Sequence, residues 1–369
     1  MAIINGTSES EALFGTRFDD EINGLGGNDV LRGRGGDDRL DGGADADRML
    51  GRLGNDIYLI DHAGDRAGER FDEGIDTVIA TLAYRLQRNI EHLELRGTAK
   101  FGTGNDLDNR IDATGQTEGR LINNVLDGGS GADVMAGGRG RDIYYVDNEG
   151  DTIEEIGRLS TGPDDLDVSD DRNLDRVIAS ISFTLPGDLD PGENIAHVED
   201  LTLTGTADLS GTGNEVQNRI TGNSGNNLLR GLTGHDVLSG GAGNDELRGG
   251  DGNDRLHGGA GNDVLLGGAG AGDSFFFDDF SVDSLPDFIV GEGMDLDAET
   301  FSEITPGVLS ADAFVVGTSA QDAEDRIVYD QENGNVYYDP DGSGSDLAIL
   351  FATVTPGTEL RRFEFFIVE

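Results

Sequence analysis

Apolar side chains recur every nine residues at Ile22, Leu31, Leu40, Met49 and Tyr58, and again at Leu238, Leu247, Leu256 and Leu265. Two residues before each stands an aspartate: Asp20, Asp29, Asp38, Asp47 and Asp56, then Asp236, Asp245, Asp254 and Asp263. Each aspartate closes a glycine-rich hexapeptide such as Gly240-Gly241-Ala242-Gly243-Asn244-Asp245. This period is neither the 3.6 of a helix nor the unbroken alternation of a long strand. It predicts a six-residue turn followed by a three-residue strand, with glycine supplying the left-handed backbone a tight turn requires. Two nonapeptides close one coil of about eighteen residues. The coils stack their strands into two parallel sheets, and the recurring apolar residue fills a narrow core. Aspartates two repeats apart, such as Asp20 and Asp38, then share one edge.

The pattern divides the chain. A first block spans residues 1–61 and begins with a degenerate copy carrying Glu11 in the aspartate slot. A second, 119–147, holds Asp133 and Asp142, with Asn124 in the preceding slot. The third, 213–273, opens with Asn218 and Asn227. Its last copy has one extra residue, which puts Asp273 out of register and sets its ligand role aside. The spacers 62–118 and 148–212 are related to each other. Asp56-Ile-Tyr-Leu-Ile-Asp61 returns as Asp142-Ile-Tyr-Tyr-Val-Asp147, and alternating runs at Val78–Leu86 and Val177–Leu185 predict half-buried strands. An acidic insertion at 164–171 is expected to be a mobile loop.

The nine-residue period ends before residues 274–369, which predict a β-rich capping domain. Asn333-Gly334 reads as a hairpin turn between Arg326–Asp330 and Val336–Asp339. A short helix is expected near Ser310–Phe314. Phe275–Phe277 is expected to cap the open end of the coil, where a bare sheet would invite edge pairing. The pairs Tyr144-Tyr145 and Tyr337-Tyr338 read as one core and one surface residue each.

Composition sharpens the picture. The chain of 369 residues holds 73 acidic and only 26 basic side chains, for a net charge of -47, with 59 glycines and no Cys or Trp. A chain so acidic and so poor in large apolar groups does not collapse by itself. Nucleic acid and anionic membrane surfaces need a basic patch and are poor candidates as partners, so no nucleic-acid partner is expected. Disulfides and thiolate metal sites are excluded by the missing cysteine. No apolar run is long enough to span a membrane. The N-terminus shows no basic region followed by an apolar stretch, so export is expected to use a route other than a cleaved leader.

Multivalent cations fit the excess charge. Calcium takes about six to eight hard oxygens. Aspartate is short enough to hold such an ion inside a turn whose carbonyls supply the rest. Without the ion, the stacked carboxylates repel, so folding and binding are expected to be one event.

The nonapeptide G-G-x-G-x-D-x-U-x resembles the RTX (repeats-in-toxin) family of haemolysin-type calcium-binding proteins. The tail, through Asp325-Arg-Ile-Val-Tyr-Asp330 and Tyr337-Tyr-Asp-Pro-Asp-Gly-Ser-Gly344, is similar to the C-terminal domain of serralysin-type metalloproteases. The resemblance implies an all-β fold of parallel β-rolls with several Ca2+ ions, each lying between turns on one edge. Carried over, the carbonyls of Gly241 and Gly243 with Asp245 face Gly258, Ala260 and Asp263. Leu25, Gly27 and Asp29 face Gly42, Ala44 and Asp47, and Arg34, Gly36 and Asp38 face Gly51, Leu53 and Asp56. Gly35, Gly234, Gly249 and Asn227 join the implied donor set. Sites that need Asn218, Asn227 or Asn124 lose a charge and are expected to be weaker or empty. The resemblance also implies type I secretion through an uncleaved C-terminal signal, which Glu364-Phe-Phe-Ile-Val368 fits with Glu369 added, and folding outside the cell.

Catalysis finds little support in the residues. None of His62, His92, His197, His235 and His257 lies in an H-E-x-x-H motif, and neither a G-x-S-x-G elbow nor a Walker phosphate loop is present. Asp339-Pro-Asp-Gly-Ser-Gly344 begins like an EF-hand loop, but Leu350 stands where the closing Glu belongs, so a tight acidic turn is expected. The leading reading is a secreted, non-catalytic calcium-binding protein, structural or associated with a surface or matrix. The alternatives are a calcium-dependent module that binds extracellular polysaccharide, and an enzyme with an unrecognised site in the spacers.

Overall fold

A computed structural model describes residues 1–116, 121–155, 174–187, 198–270 and 272–369. The acidic insertion at 164–171, the start of the second block at Gly119 and Ala271 of the last repeat lie outside the described residues. The fold is an all-β, parallel β-roll. The chain falls into two compact units, Met1–Ile178 with Leu189–Val198, and Ala179–Asp188 with Glu199–Glu369.

In the first unit each strand pairs in parallel with the strand one coil later. Ala12, Val30, Arg48 and Arg66 align in successive strands, as do Glu21, Arg39 and Ile57, so the coil is eighteen residues. One sheet carries nine strands, from Ala2–Asn5 to Thr152–Ile153. Strands are longer than the three residues expected: Val30–Gly35 and Arg48–Leu53 each run six residues into the glycine-rich turn, because the turn backbone also pairs with the next coil. Burial alternates along most strands, and Ile22, Leu31, Leu40, Met49 and Tyr58 are all fully buried. Residues 62–116 extend the same sheets: Thr77–Ala80 pairs with Ile57–Ile60, His92–Leu95 with Thr77–Ala80, and Arg110–Asp112 with His92–Leu95. No glycine-rich turn is needed for this, because Val78, Ala80, Leu93 and Leu95 supply the buried positions.

The second unit repeats the arrangement. Ile220, Leu238, Leu256 and Phe275 align in one sheet, and Leu229, Leu247 and Leu265 in the other. Ser274–Phe277 is not an end cap as expected. It lies between Arg255–Ala260 and Gly293–Asp297, and Phe275 takes the repeat's core position. An aromatic cluster fills the interior of this part of the unit, where Phe301 packs edge-on against Phe280, Tyr338 and Phe351. The sheet continues through Phe365–Val368, whose Phe365 and Ile367 are buried. The hairpin forms as expected: Ile327–Asp330 pairs antiparallel with Asn335–Tyr338, and Gly334 takes φ +77° in the turn. The short helix near Ser310 is a single 3-10 turn, Ala311–Ala313. Tyr144 and Tyr338 are buried, whereas Tyr145 is exposed.

Each coil contributes one or two large apolar side chains to the core, so each is costly to lose. Leu247→Ala, at a fully buried position, is expected to destabilise the calcium-loaded protein by about 2–5 kcal/mol in denaturant unfolding. Leu347→Ala, at an 87% exposed position, is expected to change stability by less than about 0.5 kcal/mol.

Candidate metal centre

The repeat aspartates form ladders along the edges. One carboxylate oxygen of each accepts the backbone N–H of the residue one coil earlier. Asp20 N–H donates to Asp38 Oδ1 at 2.7 Å, Asp38 to Asp56 at 2.7 Å, Asp29 to Asp47 at 2.7 Å, and Asp245 to Asp263 at 2.7 Å. Asp236 N–H donates to Asp254, and Asn109 N–H to Asp133. This fixes each side chain and points its second oxygen into the turn.

What meets the second oxygen separates two kinds of turn. In the closed kind, the N–H four residues earlier donates to it. Thr16 N–H reaches Asp20 Oδ2 at 2.6 Å, Asp61 reaches Asp65, Asp147 reaches Asp151, and Asn214 and Asn223 reach the side-chain oxygens of Asn218 and Asn227. In the open kind that residue is left-handed, which turns its N–H away, except before Asp273, where the extra residue puts the left-handed Gly268 five positions earlier. Leu25 has φ +75°, Arg34 +86°, Gly43 +80°, Arg52 +87°, Leu232 +83° and Gly241 +104°. Among the described residues, Oδ2 of Asp29, Asp38, Asp47, Asp56, Asp133, Asp142, Asp236, Asp245, Asp254, Asp263 and Asp273 is buried and accepts no hydrogen bond. Leu25, Arg34, Arg52 and Leu232 hold a conformation that costs a β-carbon-bearing residue of order 1–3 kcal/mol. Each of these strained residues leaves a carboxylate oxygen bare.

The bare oxygens have company. A β-carbon placed on Gly24 would lie closer than 3.0 Å to both Asp29 Oδ2 and the Gly42 carbonyl of the next coil. The same holds on Gly33 for Asp38 and Gly51, on Gly231 for Asp236 and Gly249, and on Gly240 for Asp245 and Gly258. Oxygens from two coils thus converge on a space that only glycine leaves open. The carbonyl oxygens of Gly36, Gly234, Gly241 and Gly243 occupy the space a β-carbon would take on the glycines one coil on, Gly54, Gly252, Gly259 and Gly261. Gly27 has φ +88° and its N–H meets Asp45 Oδ2 at 3.3 Å. The Leu25 carbonyl accepts Ala44 N–H at 3.1 Å, and the Ala260 carbonyl accepts Gly243 N–H at 2.9 Å, each with a second lone pair to spare. The Leu53 carbonyl faces Gly35.

An unpaired buried carboxylate is unfavourable. Burial, reinforced by neighbouring carboxylates, pushes Asp38, Asp47, Asp133 and Asp245 up to about 6, Asp236 to about 7 and Asp56 to about 8. Burial also raises Asp142, to about 6, and lifts Asp254, Asp263 and Asp273. Asp20, in a closed turn, behaves oppositely. The Thr16 and Ala2 amides outweigh its slight burial and hold it below the usual value. Hard oxygens from carboxylates and carbonyls, bare on one side and short of positive charge, suit a divalent cation such as calcium.

The model of the RTX calcium-binding nonapeptide repeat (four copies) matches residues 5–40, 23–58, 119–153, 212–247 and 239–272. These are the stretches that hold the open turns. The chain carries RTX haemolysin-type calcium-binding repeats. Its RTX repeats bind Ca2+. It is also similar to two Rhizobium meliloti proteins. One is the endo-1,3-1,4-beta-glycanase ExsH, 36% identical over 69 residues, covering 19% of this chain and 15% of that protein. The other is the endo-1,3-1,4-beta-glycanase EglC, 37% identical over 62 residues, covering 17% and 13%. The chain therefore spans a small part of the length of either relative.

Some ladder members escape the RTX nonapeptide count. Asp273 keeps its place despite the extra residue: Asp254 N–H donates to its Oδ1 at 2.8 Å, and it is 1% exposed. The turn absorbs the insertion, so the aspartate set aside on register belongs to the ladder. Asp65 and Asp151 continue it eighteen residues after Asp47 and Asp133, and Asp76 and Asp283 twenty residues after Asp56 and Asp263. An eighteen-residue count, one coil, finds the first two. Asn227 keeps the ladder contact to Asp245 at 2.6 Å, but its carboxamide pairs with Asn223 in both directions. Asn124 N–H donates to Asp142 Oδ1 at 2.6 Å.

The raised carboxylates fix the sign of a pH effect. Their folded, ion-free values of about 6–8 lie above the ordinary 3.8. Their contribution to ion-free stability is therefore present at low pH and lost as pH rises through 6–8. In chelator, β structure measured by circular dichroism is expected to increase as pH falls from about 8 to about 5. Calcium affinity is expected to fall over the same range, because protons compete for the same oxygens.

Proposed function

We propose that this RTX protein is a secreted, non-catalytic protein that folds when it takes up calcium outside the cell. The observation that carries this reading is the set of buried Oδ2 atoms without hydrogen bonds, of which those of Asp29, Asp38, Asp236, Asp245 and Asp254 lie beside a carbonyl of the next coil. An ion between the coils satisfies them and removes the repulsion that the ion-free chain must otherwise relieve by protonation. Extracellular calcium modules bind at about 10⁻⁴–10⁻³ M. At ten times the dissociation constant each independent site adds roughly 1.4 kcal/mol, so a handful of sites supplies a domain's net stability. At cytosolic calcium the same sites contribute almost nothing.

The ligands in this reading are the open-turn aspartates with the carbonyls that flank them. Asp29 acts with Leu25, Gly27 and Gly42, Asp38 with Arg34, Gly36 and Gly51, Asp236 with Gly234 and Gly249, and Asp245 with Gly241, Gly243 and Gly258. Asp20 has a structural role, since Thr16 already satisfies it. Among the described residues no helix is long and apolar enough to cross a membrane. Type I export is consistent with the terminal Phe365–Val368 run. Phe365 and Ile367 are buried once the chain has folded, so they are readable only on an unfolded chain.

A second reading, a calcium-dependent polysaccharide-binding module, is favoured by one observation. The two relatives that share part of this chain are named as glycanases. A glycan array probed with calcium and with chelator separates the two: calcium-dependent retention on a polysaccharide favours the second, and hydrolysis of one points to an enzyme.

A calcium titration followed by far-UV circular dichroism tests the leading reading. The chain is expected to be largely disordered in chelator at pH 8, and to gain β structure cooperatively near millimolar calcium. Magnesium is expected to substitute poorly, because it demands tighter octahedral geometry. Full β structure in chelator at that pH would contradict the reading. Gly240→Ala places a carbon against Asp245 Oδ2 and the Gly258 carbonyl. It is expected to remove about one ion per chain and to raise the calcium midpoint.

A further inference from the structure

The ends of the first two blocks depart from the repeat in the same way. Thirteen residues after several open-turn aspartates stands a glycine whose carbonyl faces that aspartate, as Gly42 follows Asp29, Gly51 follows Asp38 and Gly258 follows Asp245, whereas after Asp47, Asp133 and Asp263 the residue is the apolar Ile60, Val146 and Phe276. After Asp56 the residue is Glu69, and after Asp142 it is Glu155. The core residue that follows the aspartate by two is Leu31, Leu40 or Leu247 elsewhere, but Tyr58 and Tyr144 here. Both changes occur together, twice.

The paired changes bring new groups to one place. Tyr58 is fully buried, its hydroxyl accepts Gly51 N–H at 2.8 Å, and it donates to Glu69 Oε1. Glu69 also accepts the N–H groups of Gly51 at 3.0 Å and Arg52 at 2.9 Å. In the second copy Gly137 N–H meets the Tyr144 hydroxyl at 3.0 Å, and that hydroxyl donates to Glu155. The next ladder aspartate closes each group: Asp56 N–H donates to Asp76 Oδ1 at 2.8 Å, and Asp142 N–H to Asp175 Oδ1 at 2.6 Å. In each trio, Asp56, Glu69 and Asp76 or Asp142, Glu155 and Asp175, one carboxylate oxygen from every member lies within 4.8 Å of the others.

A cluster of acids alone is no site. Here Asp56 and Asp142 are 0% exposed, and their Oδ2 atoms accept no hydrogen bond among the described residues. Both point into the cluster. A carbon on Gly51 would lie closer than 3.0 Å to Asp56 Oδ2 and the Tyr58 hydroxyl, and a carbon on Gly137 equally close to Asp142 Oδ2 and the Tyr144 hydroxyl.

We propose that Asp56, Glu69 and Asp76 with the Tyr58 oxygen, and Asp142, Glu155 and Asp175 with the Tyr144 oxygen, form a second kind of calcium site, one at the end of each of these blocks. The proposal rests on the calcium-binding reading of the repeats and goes beyond it. Three carboxylates from three turns replace the glycine carbonyls of a regular site. Calcium affinity rises with ligand charge, so these two sites fill first and empty last. They fasten the end of each block to the coil that follows, where the glycine turns stop.

Calcium titration of the full chain in competition with a chromophoric chelator tests this, with wild type beside Glu69→Gln/Glu155→Gln. Wild type is expected to show two tight ions, bound about tenfold or more below the midpoint of the remaining ions. The double variant is expected to lose that class and keep the weaker one. A single binding class in wild type, or an unchanged tight class in the variant, would overturn the proposal while leaving the repeat sites standing. Absence of all calcium binding would instead defeat the reading of the repeats. A second variant guards against misfolding. The chain has no Trp, so Tb3+ emission is sensitised through tyrosine alone. Tyr58→Phe/Tyr144→Phe keeps the packing and is expected to cut the sensitised emission of the first two Tb3+ ions several-fold. Undiminished emission would place those ions elsewhere and overturn the proposal.

Discussion

One bare carboxylate oxygen in each open turn governs this structure. The ladder bond to the preceding coil uses the first oxygen of each aspartate, and the left-handed residue four positions earlier withholds the amide that would have met the second. The fold thus assembles its own deficit of positive charge along both edges. The core between the sheets is one layer of leucine-sized side chains per coil. A chain with net charge -47 and so thin an interior needs cations between coils to hold the stack together.

The closed turns give the arrangement its limits. Asp20 and Asp65 flank the open turns of the first block, Asp151 follows those of the second, and Asn218 and Asn227 precede those of the third. At these positions the backbone itself satisfies the side chain, so the ladder begins and stops without an exposed unmet charge. The end of the first two blocks adds a further device, since Tyr58 with Glu69 and Tyr144 with Glu155 carry acidic groups into the space the glycines had kept clear. The aromatic interior beyond Ser274 then replaces ionic cohesion with ordinary packing, through Phe275, Phe301, Phe351 and Phe365.

Much of this was legible in the sequence because the repeat is strict. The eighteen-residue coil, the buried Leu31, Leu40, Leu247 and Leu256, and the shared edge of Asp20 and Asp38 all follow from spacing. The hairpin at Gly334 follows from turn chemistry. Less legible was anything that depends on backbone handedness. Asp20 and Asp38 occupy identical repeat positions, yet Thr16 donates its N–H to the first while Arg34, at φ +86°, withholds it from the second. Insertions also hid ladder members: Asp273 and Asp76 follow their partners by nineteen and twenty residues, because the turn absorbs extra chain without moving the carboxylate. Phe275 lies inside the sheet rather than at its end, because an aromatic run marks a change of core side chain as readily as an end.

The most direct measurement is a crystal structure of the calcium-loaded chain with anomalous scattering at the cation. The account predicts ion density beside the Oδ2 atoms of the open-turn aspartates, such as Asp38, Asp236 and Asp245, and none coordinated to Asp20 or Asp151. Open-turn carboxylates that face only water, or ions held by the closed turns instead, would contradict it.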